Sequence, residues 1–181
     1  MTRGTSGHPA RVTTFRATND SQGVVRAPRE VLWETLTDPA TLTKLTPMLQ
    51  HIEVVGEQDG HPLWRWTMSG IDVLGVKFRP EFTEQMIFDE PSSIDYRHAP
   101  PAGTTEKASV QGWYRLTDAS DDDGPATHLQ ISIEIRVDLP LPRVASRAVT
   151  AVMSRVIDFT GEKFEANLYA HLGTTGTTDR P

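Results

Sequence analysis

Two periodicities divide the chain. Residues 12–26 read as extended structure, with apolar positions at Val12, Phe15, Ala17, Val24 and Val25, and "NDSQG" between them as a bulge or a turn. Helical spacing follows. In "APREVLWETLTDP" Pro28 suits a first helical turn, and Val31, Leu32, Thr35 and Leu36 share one face. Asp38-Pro39 ends this helix and starts a short second one, "ATLTKLTP", closed by Pro47.

From residue 50 to 138 the period is two. Ile52 and Val54 mark a strand that ends near Asp59-Gly60, and "PLWRWTMSG" marks the next. Alternate side chains of a strand point to opposite faces, so Trp64, Trp66 and Met68 look the same way. "VKFRPEFTEQMIF" reads as one long strand with Val76, Phe78, Phe82, Met86 and Phe88 on one parity; Pro80 places it at an edge or at a bulge. "IDYRH" alternates Ile94, Tyr96 and His98. "KASVQGWYRLTD" and "HLQISIEIRVDL" pair around an acidic turn, "ASDDDGPAT". In the second of these, Leu129, Ile131, Ile133, Ile135 and Val137 alternate with polar residues, which describes a sheet with one buried and one wet face.

A long amphipathic helix is expected over about 141–172, opening at Pro142 and ending at Gly173. Its apolar face reads as Val144, Ala145, Ala148, Val149, Val152, Met153, Val156 and Phe159. Phe164, Leu168 and Leu172 are rotated away from that stripe, which predicts a bend or register change near Gly161. Residues 1–11 and 173–181 are small and polar and read as disordered tails around a single domain over 12–172.

Composition narrows the function. The 181 residues carry a net charge of −6 and no basic run, which argues against nucleic acid. There is no cysteine, so disulfides and thiol chemistry are excluded. Histidines 8, 51, 61, 98, 128 and 171 lack metal-ligand spacing, and the Asp121–Asp123 run reads as a solvated hairpin tip. No G-x-S-x-G elbow or phosphate-cradling loop is present. Neither a metal nor a cofactor is therefore expected. Nothing approaches a membrane span or a signal peptide, and the expected location is the cytoplasm.

The order of elements is a strand, two short helices, about six further strands and a long closing helix. With the opening "APREVLWETLTDPATLTKLTP" at 27–47, the chain resembles the START-like superfamily, the helix-grip or Bet v 1-like fold. It is most similar to the bacterial polyketide cyclase/dehydrase and lipid-transport branch. The family pattern A-P-x-x-V-W-x-x-L-x-D-P is matched except that Leu32 follows Val31 and the tryptophan comes at Trp33. The resemblance implies an α+β fold. A curved antiparallel sheet of six to seven strands would wrap the C-terminal helix and enclose an apolar cavity. Trp64, Trp66 and Met68 would face that cavity, with Met86, Phe88, Tyr96, Tyr114 and Ile133, opposite Val152, Met153, Val156 and Phe159.

Three polar residues share parity with these inward positions: Glu84, Tyr96 and His98. They are the candidate acid–base groups. Three readings follow. The first is a carrier or binder of a small hydrophobic molecule such as a lipid, quinone, polyketide or terpenoid. The second is a polyketide cyclase, aromatase or dehydratase using the same cavity. The third is a protein-interaction module presenting its aromatic stripe at the surface. Ligand identity and oligomeric state are left open by the sequence.

Overall fold

A computed structural model describes residues 12–179. The expected N-terminal tail, 1–11, lies outside them. Strand β1, Thr13–Val25, leads into helices α1, Arg29–Thr37, and α2, Pro39–Leu45. Strands β2, Leu49–Gln58, and β3, His61–Met68, form a hairpin. A small two-stranded hairpin follows, β4, Ile71–Val73, with β5, Val76–Phe78. Then come β6, Glu81–Asp89; β7, Ser93–His98; β8, Ala108–Asp118; and β9, Thr127–Leu139. Helix α3, Ser146–Leu172, and strand β10, Gly176–Asp179, close the described chain. The main sheet has eight antiparallel strands in the order β10-β1-β9-β8-β7-β6-β3-β2. The architecture is the α+β helix-grip arrangement, with two short helices after the first strand and the long helix packed against the sheet.

Local chemistry accounts for the boundaries. Pro28 stands at the N-cap of α1, and Leu32, Trp33 and Leu36 are its buried apolar side chains, while Val31 is exposed. The Asp38 side chain accepts hydrogen bonds from the backbone N–H groups of Ala40 and Thr41 at the start of α2. Asp59 and Gly60 both have positive φ, the conformation a tight hairpin turn requires of an Asp-Gly pair. Gly173 takes the left-handed conformation that ends α3.

Several expectations are corrected. "NDSQG" is neither bulge nor turn. β1 pairs with β9 without a register shift from Thr13↔Leu139 to Val25↔Thr127. The segment 76–88 is two strands, because the chain leaves the sheet at Arg79-Pro80 and β5 pairs with β4. Helix α3 is unbroken through Gly161. Its inward stripe runs Val149, Met153, Ile157, Thr160/Gly161, Phe164, Leu168, a continuous 3–4 spacing whose polar middle disguised it. Val144 is 92% exposed and belongs to no buried face. Finally, Gly176–Asp179 pairs with β1 at Gln22–Val25 and is not a loose tail. Gly176 makes this possible: the Tyr169 ring of α3 lies where its side chain would be.

Candidate ligand-binding site

Between the concave sheet face and α3 lies a cavity of about 310 Å³. Its wall is built by parity. On β9 Leu129, Ile131, Ile133, Ile135 and Val137 line it; on β8, Ala108, Val110 and Tyr114. From β3 come Trp66 and Met68, from β6 Phe82, Glu84 and Met86, and from β7 Tyr96. Helix α3 contributes Val152, Met153, Val156 and Ile157, and the β4–β5 hairpin contributes Ile71, Val73 and Phe78. β1 adds the polar Asn19 and Ser21 to the lining, and α3 adds Asp158, Thr160 and Glu165. There Asn19 Nδ2 donates to Asp158 at 3.4 Å.

Most of the sequence-based candidates converge on this space: Trp66, Met68, Met86, Tyr96, Tyr114, Ile133, Val152, Met153 and Val156 all line it. Three do not. Trp64 and Phe88 share the inward parity but are roofed by α1. Their ring centroids lie 5.9 Å apart, and Phe88 meets Trp33 edge-on at 5.9 Å. This end of the interior is solid core. Phe159 is 47% exposed, because the cavity-facing stripe of α3 passes it by, through Val156, Ile157 and Thr160.

The acid–base candidates separate cleanly. Glu84 is 2% exposed and lines the cavity. Loss of hydration raises its pKa well above the ordinary carboxyl range. The neighbouring Trp66 indole N–H opposes that rise, yet this N–H is itself buried and makes no hydrogen bond of good geometry. Among the described residues nothing pairs ionically with Glu84. Burial therefore favours its neutral acid form, which can donate as well as accept. Tyr96 is also buried, and desolvation followed by the Tyr114 and Glu84 charges raises its pKa. Its hydroxyl donates to the Ser132 carbonyl at 3.0 Å, crossing Gly112, where any side chain would strike it. That hydroxyl is committed to structure.

His98 turns elsewhere. It forms the last rung opposite Glu84, where β7 ends, and its Nε2 lies 2.8 Å from Glu106 Oε2. Glu106 also accepts from the Thr83 N–H at 2.8 Å and the Thr83 hydroxyl at 2.7 Å. The carboxylate thus replaces a strand at the point where the chain departs through Pro100-Pro101. His98 does not line the cavity. Glu106 was missed from sequence because nothing local marks it.

Tyr114 completes the interior. Its ring lies 5.6 Å from Tyr96, burial is the main cause of its raised pKa, and its hydroxyl makes no hydrogen bond among the described residues. The lining residues overlooked in sequence divide in two. Val110, Ile131 and Ile135 were legible by extending parity from Tyr114 and Ile133. Ile71 and Val73 were not, since a three-residue strand carries too short a pattern to read. Among the described residues no group of three or more potential metal ligands exists, and no helix is long and apolar enough to cross a membrane.

The comparisons agree with this architecture. A family described as polyketide cyclase / dehydrase and lipid transport matches residues 11–168. No curated protein matches the chain in sequence. Among solved structures, a conserved protein from Geobacillus kaustophilus aligns at 16% identity and a TM-score of 0.62, over 88% of this chain and 99% of that one. The Zhui aromatase/cyclase from Streptomyces sp. R1128 aligns at 18% identity and 0.54, over 88% and 95%. A START superfamily protein from Mycobacterium smegmatis aligns at 14% identity and 0.55, over 87% and 94%. At these identities the likeness is one of fold.

Proposed function

The chain belongs to the polyketide cyclase/dehydrase and lipid transport family, and from that premise we propose that it binds a small hydrophobic molecule, such as a lipid, quinone, polyketide or terpenoid, between the sheet and α3. The observation that carries this reading is the 310 Å³ cavity with a mostly apolar lining. Burying about 300 Å² of apolar ligand surface at ~25 cal/mol per Å² supplies roughly 7 kcal/mol before ordering costs. Those costs leave micromolar affinity or weaker as the expectation. The protein-interaction reading needed both indoles at the surface. Trp64 is 3% exposed and Trp66 stands in the cavity wall, so that reading is set aside.

Titration with the neutral fluorophore N-phenyl-1-naphthylamine tests the proposal. Saturable binding is expected, and Val152→Trp, which fills the space from α3, should abolish it. Binding that is absent, or unchanged in Val152→Trp, refutes the reading.

One observation favours a second reading, polyketide cyclisation or dehydration in the same cavity: a buried carboxyl kept protonated can serve as a general acid. In that reading Glu84 would be the acid. His98 faces Glu106 and the Tyr96 hydroxyl is spent on Ser132, so neither supports it. Turnover of a poly-β-ketone that survives Glu84→Gln at the wild-type rate would remove Glu84 from that role.

A further inference from the structure

A cavity whose function is only to exclude water needs no polar groups, and each one costs free energy unless something pairs with it. Several polar side chains line this one, and two of them stand in the sheet wall with little to pair with: the Tyr114 hydroxyl makes no side-chain hydrogen bond among the described residues, and the Glu84 carboxyl has only the Trp66 indole N–H beside it, in poor geometry. Tyr96, on the strand between them, is satisfied by Ser132. Glu84 pairs with Trp64 of β3 and is followed on the same face of β6 by Met86, which pairs with Tyr96 of β7. Tyr114 lies on β8, its ring 5.6 Å from that of Tyr96. Glu84 and Tyr114 thus flank Tyr96 from the strands on either side of it and line the same space.

The charges around the cavity are one-sided. Glu84, Asp158 and Glu165 line it, and no Lys, Arg or His does. An anionic ligand, such as a fatty-acid carboxylate or a phosphate ester, would enter with no counter-ion. A neutral hydrocarbon would leave both inner polar groups unpaired.

Resting on the proposed binding of a hydrophobic molecule, we propose that Glu84 and Tyr114 form a subsite for the acceptor oxygen of an uncharged ligand, a ketone, aldehyde or quinone carbonyl at one end of an apolar body. Both groups donate to that oxygen. Discrimination follows the logic of any buried polar site. A ligand lacking the oxygen forfeits both hydrogen bonds and strands both donors.

The test displaces bound N-phenyl-1-naphthylamine at pH 8 with four ten-carbon probes: 2-decanone, decane, decanoate and decylamine. With each of the two neutral hydrogen bonds contributing about 1 kcal/mol, 2-decanone should bind roughly thirtyfold more tightly than decane. Decanoate should bind at least tenfold more weakly than 2-decanone. Glu84→Leu and Tyr114→Phe should each reduce the ketone-over-decane ratio several-fold. Glu84→Gln, which keeps a neutral donor, should retain most of the ratio. Thermal unfolding of each variant confirms that the fold persists. If the fluorophore and decane bind but 2-decanone has no advantage, the subsite is wrong while the cavity reading stands. If the fluorophore fails to bind saturably, both fall. Tightest binding by decylamine or decanoate, or a ketone preference intact in the Glu84→Leu/Tyr114→Phe double variant, also overturns the subsite.

Discussion

An ionised carboxylate at position 84 would penalise the folded state alone, and this gives stability a defined dependence on pH. Glu84 has its folded pKa raised by desolvation, with the Trp66 N–H only partly opposing it. Below the unfolded-state value of about 4.3 the group is protonated in both states and contributes nothing. Above it, the unfolded chain releases a proton that the folded protein retains. Stability then falls as pH rises, by up to about 1.4 kcal/mol per pH unit, and levels off once pH passes the folded pKa. Glu84→Gln keeps the shape and the neutral donor but removes the titration. Urea unfolding of both proteins at unit intervals from pH 4 to 8 isolates the effect, because every other titrating group is shared and cancels in the difference. The two should agree within about 0.5 kcal/mol at pH 4, with the variant increasingly the more stable above pH 5. A difference that is flat from pH 4 to 8 would refute the reasoning. It would mean that the carboxyl is hydrated when folded and that this end of the cavity is wet.

Three other expectations follow from packing and hydrogen bonding. Gly112→Ala should destabilise the protein by about 2–3 kcal/mol in urea unfolding, since a Cβ there meets the Ser132 carbonyl oxygen and the Tyr96 hydroxyl. Tyr96→Phe in the Gly112→Ala background should restore only part of the loss, because the backbone clash remains. Glu106→Ala should cost about 2 kcal/mol, as it strands the Thr83 N–H and removes the carboxylate facing His98; a loss under about 0.5 kcal/mol would contradict the strand-replacing role. Deleting residues 173–181 should lower the melting temperature and increase hydrogen exchange at Arg26, whose N–H donates to the Thr175 carbonyl at 3.2 Å; unchanged exchange there would show that β10 does not cover the edge of β1.

How far the sequence carried differs from element to element. The strands of 108–137 and the face they bury were legible because strict alternation survives over many residues. Glu84 was legible only as sharing parity with the inward positions, its direction left open by Pro80; it faces the cavity because β6 keeps its parity from Phe82 to Met86 on an unbroken ladder with β3 and β7. His98 failed by the same rule, since it occupies the final rung, where a departing chain frees the side chain to reach Glu106. Phe159 failed because the helical stripe was phased on apolar residues alone. The true stripe passes through Thr160 and Gly161, where the cavity opens and apolar character is not needed. Trp64 and Phe88 have the inward orientation expected of them, but parity cannot tell a lined void from a filled one. That distinction belongs to α1, which is remote in sequence and lies over one end of the sheet only. The pairing of β10 was hidden for a related reason: a Gly-Thr segment has no apolar face, and its partners lie almost the whole chain away.

That distance has a consequence for how the protein is made. The Thr174 hydroxyl donates to the Arg26 carbonyl across 148 residues, and Tyr169 closes over Gly176 beside it. A chain emerging from the ribosome N-terminus first completes strands β2 to β9 while the helix and its clasp are still being synthesised. The oily wall of the sheet therefore stands uncovered until α3 has been synthesised. Contacts so remote in sequence make for slow folding. Until then the nascent chain exposes to solvent a face that the folded protein covers.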